Sequence, residues 1–590
     1  MLSADFPSLP APPMFTTLDW VLIVIYMAVV LFLGLCLTGR AGRSLEEYFL
    51  SGRNLPWWLA GTSLVATTFS ADTPLAVTGW TRSGGIAGNW RWWGYAVSGA
   101  LVIALFSRLW RRVRVMTDVE FMEVRYGRGP GAFLRGFRAV YNPLLFQACT
   151  IAWTLLAGRK LVATIFALPP QYESLVVGAL AFSALIYAAL SGLWGVVVTD
   201  LLQFAVSMVG SITLMIVVLP EVGGLSGLIE ATDPQRLAFF PDARAPQGGD
   251  LLSVLVFVLV LWVTTPNSDG GGAAIQRFSS SRDERESIRT ALWFNVANYA
   301  LRAWPWILVA LASLVVFPDL ADPELAYPLM MKRYLPPGLL GLTVVSLIAA
   351  FMSTVDTQFN LGAAYFVNDL WRRFLFPGRR DGHYVAVGRL WSVGVMLIAV
   401  TIALVADSVR GLFDVFTQIG AGVGSVYLMR WLWWRTNAFS EIAAMIASAG
   451  VTGLLNSGLI EGTAAMGVAT KLLVGMGVSI PAWVLATLLT PPVAMGTLVA
   501  FYERARPPGW WGPVRRAAQG DPDAEPWLRG AALGWAGGVA LVVGLTLGVG
   551  WLALGRTIAG VGALAVAATG AWSLQSVLRV TGHPDGAVRR

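Results

Sequence analysis

Runs of about 20 apolar residues recur along nearly the whole chain, each closed by arginine, proline, glycine or acidic residues. About 15 such runs predict an all-α polytopic membrane protein, the first over 18–37 and the last over 558–578. Two runs are interrupted. The second, 57–80, crowds Thr67, Thr68, Ser70, Asp72 and Thr73 into its middle and follows them with Pro74. Proline has no N–H to give, so this span is expected to unwind near Phe69–Thr73. The seventh, 252–272, ends in Pro266, Asn267, Ser268, Asp269 and three glycines, a poor helical sequence. Interrupted spans at matching places in two halves point to a transporter's central site. They open two blocks, spans 2–6 and spans 7–11. Five is odd, so the second block is expected to lie inverted relative to the first.

The ninth span carries a polar stripe, Ser346 to Asn360, reading SLIAAFMSTVDTQFN. At 3.6 residues per turn Ser353, Asp356, Thr357 and Asn360 share one face. An ionisable group at membrane depth costs about 2.5–3.5 kcal/mol on insertion scales and marks a function more often than not. Hydroxyls, a carboxylate and an amide are hard oxygen ligands for a small cation. The alternative is a stripe that bonds only to a neighbouring helix. Asp200 and Gln203, at the start of span 6, are either interfacial residues or part of a second cation site beside Ser353 and Asp356.

Composition narrows the choice. Of 590 residues 56% are hydrophobic and 13% charged, which excludes a soluble enzyme. The 26 tryptophans and 63 glycines suit interfacial belts and close helix packing. The net charge of +8 resides largely in Arg-rich loops, so nucleic acid is not an expected partner; the lipid bilayer is. Loops 39–56, 111–138, 277–289, 371–389, 430–435 and 503–516 carry the arginine. With one crossing per span they fall on one side, placing the N-terminus outside and the C-terminus in the cytoplasm of a plasma-membrane protein. Two cysteines and two histidines leave no disulfide framework, zinc site or histidine relay. No GxxxxGK[ST], HExxH or GxSxG motif occurs, which counts against an ATP-driven pump and against an enzyme.

Five segments, SLEEYFLSGRNLPWW, TDVEFMEVRYG, LSGLWGVVVTDLLQF, IQRFSSSRDERES and LIAAFMSTVDTQFN, together resemble the sodium/solute symporter family, in chain order from about residue 18 to 435. The resemblance implies a LeuT-type 5+5 inverted-repeat core with additional N- and C-terminal helices. The expected organisation is an N-terminal peripheral helix and loop in 1–50, a transporter core in 51–435 with repeats 57–220 and 251–431, and additional helices in 436–590. It implies a sodium site made of the carbonyls of Ala66, Phe69 and Ala350 and the hydroxyls of Ser353 and Thr354. A second site, present in some relatives, would use Asp200 with Ser353, Asp356 and Thr357. Asp72 stands where proline-type relatives have Asp and sugar-type relatives Glu, and it would assist sodium or touch solute. Thr73 and Gln418 match substrate-facing glutamines of the sugar transporters. Where those transporters have an asparagine before the QR motif this chain has Gly271, which argues against a standard hexose site.

The expected function is symport of Na⁺ with a small polar organic solute such as a sugar derivative or an amino acid. Alternating access would carry both inward, with Na⁺ as the coupling ion and no other cofactor. Thr68, Asp72, Thr73, Asn267, Ser268 and Gln418 are the expected solute contacts. The alternatives are a proton-coupled symporter of the same fold and a solute sensor without net transport. Arg302, in span 8, either pairs with a carboxylate or meets an anionic solute.

Overall fold

The computed structural model describes residues 15–41, 53–115, 117–188, 193–241, 251–265, 267–518 and 526–580. Most of the first Arg-rich loop (42–52), the stretch 519–525 and both chain ends lie outside the described residues. Helix α1 is Thr17–Ala41. The second apolar run forms two helices, α2 (Trp57–Thr67) and α3 (Asp72–Gly84). The break therefore falls at 68–71, slightly earlier than Pro74 suggested. Pro74 sits in the first turn of α3, where a missing N–H costs nothing. Helices α4 (Ile86–Val113) and α5 (Pro130–Phe166) follow, then α6 (Glu173–Ala188) and α7 (Leu193–Glu221).

The second block repeats the arrangement. Helix α8 (Leu251–Leu259) gives way to a single turn, Leu261–Thr264, and then to irregular backbone as far as α9 (Ala273–Ser280). Gly270 and Gly272 take φ of +78° and +66° there, a region open to glycine at little cost. Beyond it run α10 (Glu284–Val316), α11 (Leu339–Leu375) and α12 (Asp381–Val405). Next come α13 (Val409–Gly420) and α14 (Val423–Leu432), which meet at a 43° bend. The two interrupted spans meet at one end, where Leu55 N donates to Ser280 O at 3.0 Å in an isolated bridge.

Helices α15 (Ala438–Asn456), α16 (Val468–Leu489), α17 (Pro526–Ala553) and α18 (Thr557–Val580) complete the chain. The α17–α18 pair packs on α4: Trp535 Nε1 donates to Val97 O at 2.9 Å, and a Cβ on Gly538 would stand 3.1 Å from that of Ala100. Among the described residues ten helices are long and apolar enough to cross a membrane, or eleven with the bent α13–α14 pair. The expected count of about 15 is not reached by that measure. Broken spans such as α2–α3 and α8–α9 fail a test of continuous length, and α6 stops where residues 189–192 lie outside the described residues.

Asp19 fixes α1 to the start of α11. Its Oδ1 accepts the N–H groups of Gly338 and Gly341, each at 2.7 Å, and its Oδ2 accepts from Thr16 N at 2.8 Å. One carboxylate thus satisfies free donors at the N-termini of two helices. The contact is close: a Cβ on Gly341 would meet Asp19 at 2.6 Å.

Candidate functional site

The break at 68–71 frees carbonyls at the end of α2, and the polar side chains around it gather from four helices. Thr354 of α11 donates from Oγ1 to the Thr67 carbonyl at 3.3 Å. Ser353, its neighbour, donates to Asp200 Oδ1 of α7. The other oxygen of Asp200 accepts from Ser63 Oγ of α2 at 2.7 Å. Both serines and Asp200 are wholly buried. The stripe on α11 therefore faces the broken span and α7, with Ser353 brought to Asp200 and Thr354 to the end of α2. Ala350 lies one turn before Thr354 on the same helix and is buried. Phe69 anchors the break through its ring, stacked on Trp306 at 5.4 Å with 14° between planes.

Arg277 is the member of this cluster that the sequence reading used only as part of a motif. Its Nη2 donates to Thr67 Oγ1 at 2.9 Å and stands 3.9 Å from Asp200 Oδ2. Asp356 also acts on it electrostatically. Asp356 accepts from Asn360 Nδ2 at 3.2 Å, while the buried hydroxyl of Thr357 has no hydrogen-bond partner. The buried cluster thus gathers carboxylate and hydroxyl oxygens around one guanidinium, hard ligands that suit a small cation. The spacing of Ser63 and Thr67, four residues apart on one helical face, was a readable sign of this second polar row.

Arg302 of α10 takes two other carbonyls of the break. Its Nη1 donates to Val65 O and its Nη2 to Thr68 O, both at 2.9 Å. Trp92 lies 5.1 Å from the guanidinium carbon. It is thus a structural partner of the unwound backbone, and Asp72 lies close enough to interact with it electrostatically.

Beside the break lies a cavity of about 330 Å³. Thr68, Asp72, Thr73, Asn267, Asn298, Tyr299 and Arg302 supply its polar wall, and Trp80, Trp92, Tyr95 and Phe413 supply rings. Thr68 Oγ1 bonds Asn298 Oδ1 at 3.2 Å, and Thr73 Oγ1 bonds Thr68 O at 3.4 Å. Four of the six residues expected to meet solute are brought together here. Ser268 and Gln418 are not. Ser268 donates to Gly424 O at 2.9 Å, away from the cavity, and Gln418 Oε1 accepts from Asn456 Nδ2 at 2.8 Å. Gly271 lines the cavity, so no side chain reaches in where the sugar transporters have an asparagine. Helical turns widened to the π form border this space at Val102–Phe106 and Val296–Leu301, and a third, Asn142–Gln147, borders a neighbouring one. Such turns are frequent at functional sites.

On one flank the irregular backbone after α8 is fastened by ion pairs. Asp269 Oδ2 meets Arg430 Nη2 at 2.6 Å and Trp431 Nε1 at 2.7 Å. Glu441 joins Arg430 at 3.4 Å to Arg138 at 3.3 Å, and Arg138 meets Asp118 at 2.7 Å. The other flank carries a second clamp. Glu324, in the loop before α11, binds Lys160 Nζ at 2.6 Å and Arg410 Nε at 3.1 Å, and Arg410 Nη1 donates to Gly79 O at 3.0 Å.

An all-helical bundle with two interrupted spans around a polar, ion-compatible centre is a membrane transporter of the LeuT-type inverted-repeat class. The model of the Sodium:solute symporter family matches residues 48–453, and the chain belongs to that family. It is a sodium-coupled secondary transporter of small solutes and a multi-pass membrane protein. It is 26% identical over 462 residues to a sodium/glucose cotransporter of Vibrio parahaemolyticus, covering 73% of this chain and 83% of that one. It is 26% identical over 470 residues to the human sodium/myo-inositol cotransporter 2, covering 71% and 66%. A solved structure of a Na⁺-coupled sialic acid symporter in a substrate-bound outward-open state superposes with a TM-score of 0.67 at 18% identity, covering 81% of this chain and 99% of that one; it shares the fold.

Proposed function

We propose that the chain couples inward Na⁺ movement to uptake of a hydroxylated solute, such as a sugar derivative or cyclic polyol, bound in the cavity beside the break. The observation that carries this reading is the Thr354–Thr67 contact at 3.3 Å, which brings the stripe of α11 against the freed carbonyls of α2. Na⁺ would take Ala66, Phe69 and Ala350 through their carbonyls and Ser353 and Thr354 through their hydroxyls. That cage is neutral, and a monovalent cation needs no carboxylate in it. A second Na⁺ would sit between Asp200, Ser353, Asp356 and Thr357, whose carboxylate and hydroxyl oxygens are hard ligands. Cavity rings packed among hydroxyl and amide groups suit a polyol with an apolar face. The relatives named for glucose and myo-inositol support the same class.

The transport core is assigned to 51–435 and the accessory helices to 436–590, with the Arg-rich loops in the cytoplasm and the N-terminus outside the plasma membrane. Coupling arises if Na⁺ holds α2 and α11 together and so favours the state that binds solute better. The test is uptake into proteoliposomes under a Na⁺ gradient at fixed pH, for the native protein and for Ser353→Ala combined with Thr354→Ala. The double variant should lose Na⁺-dependent uptake while remaining folded. Full uptake in that variant would refute the site, and uptake driven equally without Na⁺ would refute the coupling.

A further inference from the structure

A second chamber of about 90 Å³ adjoins the central cavity. Thr150, Asn267, Ala273, Gln358 and Phe416 line both spaces, so the two share a wall of side chains. One water needs roughly 10–15 Å³, so the chamber has room for several waters or for a short polar arm. Its wall is rich in carboxamides: Asn142, Gln147, Asn267 and Gln358. The side-chain oxygens of Asn142 and Gln147 and the hydroxyl of Tyr427 are buried with no hydrogen-bond partner. Asn142, Gln147 and Tyr427 are each more than nine-tenths buried. Native proteins leave few such atoms unpaired, and a group of them lining one space marks a place where something polar binds.

The chemistry of that wall selects what enters. A carboxamide both donates and accepts, which matches a hydroxyl or another amide. The charges at the chamber's edge are already spent: Arg138 is paired with Asp118 at 2.7 Å, and Tyr365 donates to the other oxygen of Asp118. A fixed ammonium or carboxylate would find no unpaired opposite charge there, whereas a neutral polar group would pair the orphaned oxygens and hydroxyl.

We propose that this chamber is a specificity subsite for a neutral hydroxyl- or amide-bearing arm of the solute whose ring occupies the central cavity. The inference rests on the polyol reading above and sharpens it. It separates arm-bearing solutes, such as N-acetylhexosamines or disaccharides, from compact ones. It also gives a role to the widened turn Asn142–Gln147, which carries two of the orphaned groups.

The test measures Na⁺-dependent binding of glucose, myo-inositol, N-acetylglucosamine, N-acetylmannosamine and maltose to the full-length protein. The native chain, Gln147→Leu and Tyr427→Phe are compared, and Tyr427→Phe removes only a hydroxyl should the leucine variant fail to fold. At least one arm-bearing solute should bind tenfold or more tightly than either compact polyol in the native chain. That ratio should fall at least fivefold in the variants. Equal affinity for compact and arm-bearing solutes, or a ratio that the variants leave unchanged, overturns the subsite and leaves the polyol reading standing. Failure of all five to bind overturns both.

Discussion

Arg302 Nη2 donates to the carbonyl of Thr68 at 2.9 Å, and its Nη1 holds Val65 O at the same distance. A tethered cation therefore occupies two carbonyls of the break, interleaved with those of Ala66 and Phe69 assigned to Na⁺. Removing the guanidinium takes away two charge-assisted hydrogen bonds, each worth about 1.5–3 kcal/mol, and leaves Val65 O to Thr68 Oγ1 and Thr68 O to Thr73 Oγ1. Arg302→Ala should lower the thermal midpoint in detergent by several degrees and raise the Na⁺ concentration for half-maximal uptake. Arg302→Lys, with one point donor in place of a planar fork, should fall between the two. An alanine variant with native Na⁺ dependence would separate Arg302 from the ion site.

Asp200 offers a second lever. Its exchange for Asn removes one negative charge and a hard oxygen ligand from the proposed second Na⁺ site. The Na⁺ activation curve of solute uptake should be less steep in Asp200→Asn than in the native chain. A curve of unchanged steepness would argue that only one Na⁺ is carried. Asp356→Asn should act in the same direction, since it makes the same change in charge.

Glu324 lies outside the spans, and its titration can be read directly. Burial alone would raise its carboxyl, but Lys160, the backbone of Arg410 and the Arg410 guanidinium outweigh that and hold it below the ordinary glutamate value. A depressed carboxyl contributes stability in full above its unfolded value, about 4.3, and loses it as pH falls through the lower folded value. The thermal midpoint of the native chain should therefore exceed that of Glu324→Gln by a constant margin from pH 7 down to about 5. The margin should shrink at lower pH. A margin that grows on acidification would reverse the sign of this account.

Gly424 tests the irregular backbone after α8. A Cβ there would stand 2.1 Å from Val263 O and 2.5 Å from Thr265 O. Both obstacles are backbone and cannot swing aside. Gly424→Ala should destabilise by about 1–3 kcal/mol, the usual range for overpacking, and should displace the Ser268–Gly424 contact. Midpoints from thermal unfolding would show it. A neutral substitution would mean that α14 shifts freely against the backbone at 263–265.

Much of this architecture was legible beforehand because membrane helices announce themselves by length and apolarity, and breaks by Pro, Gly and crowded hydroxyls. Ser353 and Thr354 were readable as polar residues that lipid would not tolerate. Asp200 was readable for the same reason and does reach Ser353. Partners brought in from distant helices were not legible. Arg277 follows Gln276 in a loop-like motif, and nothing local says that it turns back onto Thr67. Ser268 was expected at the solute because it is polar and near a break, and Gln418 because it matches a substrate-facing glutamine of the sugar transporters. Their actual partners, Gly424 and Asn456, belong to helices whose packing no local pattern encodes. The fifteen-span count faltered for a related reason: apolar runs reveal where lipid is met, not whether one helix passes through unbroken.

The Leu55–Ser280 contact has a mechanical consequence. The interrupted spans are tied where α2 begins and α9 ends, and again beside the first break, where Arg277 of α9 donates to Thr67 of α2. Two bars pinned at two points cannot hinge on each other, so α2 and α9 travel as one body and the space beside the cavity opens against other helices. A cross-link between positions 55 and 281 should therefore leave transport running.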